Sequence, residues 1–260
     1  MARIIGVVSG KGGVGKTVVA INLAAALHKW YRKKVLLVDC NITTSHIGLY
    51  LGLYSTPVTL NDALRGSVSI KKTIYEHSCG INVIPASLKL EDLRDINWEV
   101  VKNKLSGVFN DYDFIILDSS PGFGKESLVT LGACREALLV TNPIVHSVAD
   151  LMKCKELAIK LGVNPLGIVL NMVRNRSYEM SSKEIMDMIE LNIICSIPFD
   201  EAVMRSTMSK NPVINSNYAV SRHFRRLASF LTNEDSVQER TGLIAKISNM
   251  FKWIYFQPNK

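Results

Sequence analysis

Residues 10–17, GKGGVGKT, put four glycines and two lysines into eight positions. Glycine lacks a Cβ, so it accepts left-handed backbone angles and lets successive N–H groups turn toward one centre. Such a nest suits a chain of phosphates. The spacing meets the pattern G-x-x-x-x-G-K-[ST], with Gly10, Gly15, Lys16 and Thr17 at its fixed positions. The backbone from Gly10 through Gly12, Gly13, Val14 and Gly15 then cradles the phosphates, Lys16 reaches the terminal pair, and Thr17 offers its hydroxyl to Mg²⁺. The run FIILDSSPG (114–122) supplies a second group: an apolar stretch ending in Asp118, a carboxylate able to hold Mg²⁺ through water.

A loop of this kind needs a strand before it and a helix after it. The β-branched run 3–9 and the helically spaced apolar residues of 17–29 provide both. The alternation continues with strands expected at 34–39, 81–87, 113–119, 136–142, 166–172 and 193–199. Helices are expected at 98–109, 147–161, 181–189 and 217–230. Continuously apolar strands between helices predict an α/β fold of the P-loop NTPase kind: a doubly wound, mostly parallel sheet with helices on both faces. Ligands on such sheets bind beyond the carboxyl ends of the strands, where the glycine loop lies.

With 260 residues, 47% hydrophobic and 21% charged, the chain has the composition of one large globular domain with a short appendage. The first apolar run is too short for a signal peptide, and none reaches the ~18 to 20 residues that cross a bilayer, so a cytoplasmic protein is expected. The five cysteines are widely spaced with no C-x-x-C pair, and read as buried small hydrophobes. A net charge of +8 suits an anionic partner without choosing among nucleotide, nucleic acid and membrane.

Lys11 adds a lysine directly after Gly10. With it the loop resembles the deviant phosphate loop of the MinD/ParA family of ATPases, and the opening MARIIGVVSGKGGVGKT is especially similar to the MinD branch. The resemblance extends from residue 1 to about residue 231, through VLLVDCN, HIGLYLGL, DFIILDSSPG, VLNMV and SIPFD in order. It implies a homodimer that sandwiches two ATP molecules, with Lys11 reaching the other subunit's phosphates as an arginine finger does. It also implies that Asn171, Pro198 and Asp200 frame the adenine, the amide of Asn171 having both a donor and an acceptor for its edge. Read alone, Asn171 is a strand-end cap and Pro198 a turn residue. The stretch SVAD (147–150) reads as a capping box that starts a helix, and the resemblance adds a dimer-facing position for Asp150.

Two positions depart from the family pattern. After the second strand the family usually carries D-x-D, the first acid near Mg²⁺ and the second orienting the attacking water. Here Asp39 is kept and Asn41 replaces the second acid. An amide can orient water but cannot take up a proton, so hydrolysis is expected to be slow, partner-dependent or absent. Val18 stands where a hydroxyl residue is usual, which removes one side-chain bond to a phosphate.

The segment GLIAKISNMFKWIYF (242–256) projects as a helix with Leu243, Ile247, Met250, Phe251 and Ile254 on one side. The chain thus divides into an ATPase domain (1–231), a polar linker (232–241) and a basic, amphipathic tail (242–260), which resembles the family's membrane-targeting helix. Two weak tails on an ATP-bound dimer would hold it to the inner face of the cytoplasmic membrane, reversibly, to position an unidentified protein partner as in division-site selection. The alternatives are a tail that packs on its own domain or mediates dimerisation; a ParA-like partition ATPase, binding DNA nonspecifically through Arg222, Arg225 and Arg226; and a regulator of flagellum or pilus placement. DNA is weighed below the membrane, and the missing C-x-x-C disfavours an iron–sulfur carrier.

Overall fold

The apolar runs become one sheet. The structure is a computed structural model that describes residues 2–94, 96 and 100–234. Its strands are β1 (Arg3–Val8), β2 (Val35–Asp39), β3 (Tyr75–Glu76), β4 (Asn82–Ile84), β5 (Phe114–Asp118), β6 (Glu136–Thr141), β7 (Asn164–Val173) and β8 (Ile193–Pro198). They lie in the order β3-β4-β2-β5-β1-β6-β7-β8, all parallel except β3, which runs antiparallel to β4. The helices are α1 (Lys16–Tyr31), α2 (Ile47–Tyr50), α3 (Leu60–Arg65), α4 (Val101–Ser106), α5 (Lys125–Ala133), α6 (Val145–Lys160), α7 (Ser182–Ile189), α8 (Glu201–Met208) and α9 (Ser221–Thr232). This is the doubly wound α/β sheet that the sequence predicts.

Strands β2 and β5 are buried at every position because helices cover both sides. Val35 and Leu37 turn to the face covered by α1 and α9, where Leu23, Leu27, Phe224 and Leu227 pack. Leu36 and Val38 turn to the face covered by α3 to α7, with Leu64, Leu105, Leu131, Leu151 and Ile185. Strand β1 lies between β5 and β6, and the chain winds out to one side before returning to the other. The switch point therefore falls at the carboxyl end of β1, where residues 9–15 lead into α1.

Several expectations are corrected. The run 81–87 is a strand only over Asn82–Ile84, because Pro85 has no N–H to extend the ladder. Of the helix expected over 98–109, residues 98 and 99 lie outside the described residues and the helix covers Val101–Ser106. Ser147 does not cap α6: the helix already begins at Val145 behind an extended Ile144, and Ser147 is buried within its first turn. Helix α9 starts at Ser221 rather than 217. Helices α3, α5 and α8 carry too few regularly spaced apolar residues to stand out; α8 buries only Ala202 and Ser206. Among the described residues no helix is long and apolar enough to cross a membrane. The expected tail 242–260, and the linker beyond Glu234, lie outside the described residues.

Candidate nucleotide site

The phosphate loop is shaped by what surrounds it. Gly13 and Gly15 have φ of 81° and 82°, left-handed angles that L side chains resist. At Gly10 the limit is space: a Cβ would lie 2.4 Å from the backbone oxygen of Asp150, so only glycine lets the loop rest on α6. Gly15 is the N-cap of α1, and its carbonyl accepts the N–H of Val19 at 3.0 Å. A Cβ there would meet Nδ2 of Asn171 at 2.3 Å, and that amide donates to the Val14 carbonyl at 2.9 Å. The cradle is thus held from α6 on one side and from the end of β7 on the other.

The loop opens on a cleft of about 390 Å³ lined by Lys11, the backbone of residues 12–15, Lys16, Thr17, Val18 and Asn41. Lys11 is exposed at its mouth. Lys16 is buried at its floor, where Nζ donates to Oδ1 of Asp118 at 2.6 Å, with side chains 6% and 1% exposed. Oδ2 of Asp118 is buried without a hydrogen-bond partner. Asp39 sits beside it in register across β2 and β5, and both its oxygens are engaged. Oδ1 accepts the N–H of Asn41 at 3.1 Å, and Oδ2 accepts the hydroxyl of Ser45 at 2.7 Å and the N–H of Ile47 at 3.1 Å. Burial, and then the charge of Asp118, push the Asp39 carboxyl up to about 7.

Asn41 is closed on itself locally. Its Nδ2 donates to the Thr44 carbonyl at 2.7 Å and its Oδ1 accepts the Thr44 hydroxyl at 3.0 Å. Only this orientation of the amide satisfies both contacts, since a carbonyl can only accept. The segment is also tied to the loop after β5, because Glu126 accepts from the hydroxyls of both Thr43 and Ser120.

Residues 1–232, which hold this strand, glycine cradle, helix and strand-end aspartate, match the ParA family, described as NUBPL iron-transfer P-loop NTPase. The chain belongs to the ParA/MinD family of P-loop NTPases. An uncharacterized ATP-binding protein of Methanocaldococcus jannaschii is 36% identical over 82% of this chain and 81% of its own length. The Pyrococcus furiosus cell division ATPase MinD superposes with a TM-score of 0.86 at 30% identity, covering 90% of this chain and 99% of its own. MinD of Pyrococcus horikoshii, solved with Mg-ADP, gives 0.85 at 29% identity over 89% and 96%.

In this ParA/MinD-family chain the phosphate-loop residues expected from the sequence come together around one cleft, and Asn171, Pro198 and Asp200 are not among the residues that line it. Asn171 is 6% exposed and gives its N–H to the loop. Asp200 caps α8, accepting the N–H of Ala202 at 2.8 Å, and Pro198 ends β8. The cleft is lined instead by Met172, Met204 and Thr207 and by Thr44, His46 and Tyr50. Met172 comes from the end of β7, and the other five arrive from a loop, the N-cap of α2 and the short helices α2 and α8, where no apolar spacing marks them. The only legible hint was the i, i+3 step from Met204 to Thr207. Asp150 lies against Gly10 through its backbone, while its carboxylate meets Lys153 at 3.4 Å.

The donor set fits a hard cation only in company. Among the described residues no three His, Cys, Asp or Glu side chains are placed to hold a metal by themselves, so an ion here also needs oxygens from its nucleotide. The unpartnered Asp118 Oδ2 and the Thr17 hydroxyl at the cleft are the oxygens that suit Mg²⁺. The five cysteines are free thiols, four of them buried, and burial pushes Cys134, Cys154 and Cys195 up to about 12.

Proposed function

We propose that the protein binds Mg·ATP in this cleft, closes into a homodimer around it, hydrolyses it slowly, and attaches reversibly to the cytoplasmic membrane to position a protein partner. The observation that carries this is the buried Lys16–Asp118 pair under a glycine cradle. Without a ligand each charge is the other's partner. A phosphate chain in the cradle offers Lys16 a stronger set of acceptors and leaves Asp118 to face a cation together with Thr17, with Asp39 holding the neighbouring segment in place. Mg²⁺, when bound, neutralises charge on the terminal phosphates.

Lys11 is not needed to build the cradle and stands exposed at the mouth, where it can serve a facing copy. Asn41 can orient water only through its second N–H or a remaining lone pair, because Thr44 already engages both ends of its amide, and no proton can be taken up. Slow turnover keeps the dimer closed long enough for two weak tails to act together. Membrane attachment is drawn from the sequence of 242–256.

Co-sedimentation with liposomes tests the whole reading. The full chain should pellet with Mg·ATP and remain in solution with ADP, while a chain ending at Glu234 should stay in solution with either. Equal pelleting of both chains would remove the tail as anchor.

A further inference from the structure

Opposite the phosphate loop, the end of α1 gathers cations, and α9, which packs beside it, carries more on its outer side. Arg32, Lys33 and Lys34, with His28, line a concavity of about 320 Å³ in which Glu76 is the acidic residue. Beside it the Trp30 ring has Lys29 Nζ and the Arg225 guanidinium each 5.8 Å from its centroid. The Tyr31 hydroxyl donates to the Arg225 carbonyl at 3.3 Å, which joins the two helices at this point. Along α9, Arg222, Arg226 and Phe230 follow at four-residue spacing and are exposed, while Phe224, Leu227, Ala228 and Leu231 are buried.

The described chain ends on this surface. Glu234 pairs with Lys33 at 2.8 Å, and its carbonyl accepts the Ser229 hydroxyl at 2.6 Å. The sequence that continues from there is the linker to the basic, amphipathic segment. Cations around the tail's root, with Trp30 and the 43%-exposed Phe230 among them, have the composition of a bilayer interface contact.

We propose that this face of the domain lies against a membrane carrying anionic phospholipids, with the concavity of Arg32, Lys33 and Lys34 taking a headgroup phosphate. The inference rests on the membrane reading above and deepens it. A tail alone gives affinity, whereas a charged face at its root gives a requirement for negative lipid and a fixed orientation of the nucleotide cleft above the bilayer. Each basic side chain near such a surface contributes about fivefold in affinity.

The test uses the full chain with Mg·ATP on vesicles of pure phosphatidylcholine and on vesicles containing phosphatidylglycerol. The unaltered chain should prefer the anionic vesicles by about tenfold or more, a preference that added salt erases. R32E/R226E should lose most of that preference, the rest coming from the basic tail, while binding phosphatidylcholine and ATP as before, and the milder R32Q/R226Q should fall between. If R32E/R226E keeps the full preference for anionic vesicles, the face is not the lipid contact. The proposal is equally overturned if the variant loses retention of duplex DNA and its vesicle binding is unchanged, which makes this a nucleic-acid face. Failure of the unaltered chain on every vesicle would overturn the membrane reading itself, a result distinct from either.

Discussion

The phosphate loop and the segment from Asn41 to Tyr50 face each other across one cleft and are built in different ways. The loop is fixed by backbone demands: left-handed angles at Gly13 and Gly15, and no room for a Cβ at Gly10 or Gly15. The facing segment is fixed by side chains, with Asp39 gathering Asn41, Ser45 and Ile47, and Thr44 closing on Asn41. A backbone-built site tolerates almost no substitution, so its function is stable. A site built from side-chain hydrogen bonds can exchange one polar group for another, so the step it governs is adjustable. In the function proposed above, binding of phosphate belongs to the first region and the handling of water to the second.

The largest effect is expected at Lys16. Lys16→Met strands the Asp118 carboxylate in a buried site and should cost about 3 to 5 kcal/mol of stability, read from urea unfolding of the nucleotide-free protein, and should abolish ATP binding. Gly10→Ala forces the loop off α6 and should cost about 3 kcal/mol, with nucleotide binding lost before the fold is. Across the cleft, Asn41→Asp should leave ATP affinity close to unchanged and raise the single-turnover rate about a hundredfold, since a carboxylate there regains a proton acceptor. An unchanged rate would erase the division of labour between the two regions.

A pH dependence is centred on Asp39. Its carboxyl is raised from 3.8 to about 7, so the native state keeps a proton that the unfolded chain releases. Stability of the metal-free protein should therefore fall as pH rises from 3.8 toward about 7 and level off above it. Asp39→Asn should flatten that slope, measured as the urea midpoint at about pH 5 and about pH 8.

The same contrast explains what the sequence reveals. The cradle was legible because glycine and lysine at fixed spacing have few other uses, and β1, β2, β5, β6, β7 and β8 were legible because buried parallel strands are continuously apolar. The walls of the cleft were not. His46, Tyr50, Met204 and Thr207 enter it only through tertiary packing of α2 with its N-cap, four residues of helix, and of α8, which buries only Ala202 and Ser206. Asn171, expected at the adenine from its motif, also has a role that the motif did not suggest: its amide donates to the Val14 carbonyl and supports the loop.

The most direct test is the mass of the full chain in solution, by sedimentation velocity, with saturating Mg·ATP, with Mg·ADP, and for Lys11→Ala with Mg·ATP. A dimer in the first case and a monomer in the other two is the predicted result. A monomer in saturating Mg·ATP would contradict the account, because a lysine held at the cleft mouth would then have no facing phosphates to reach.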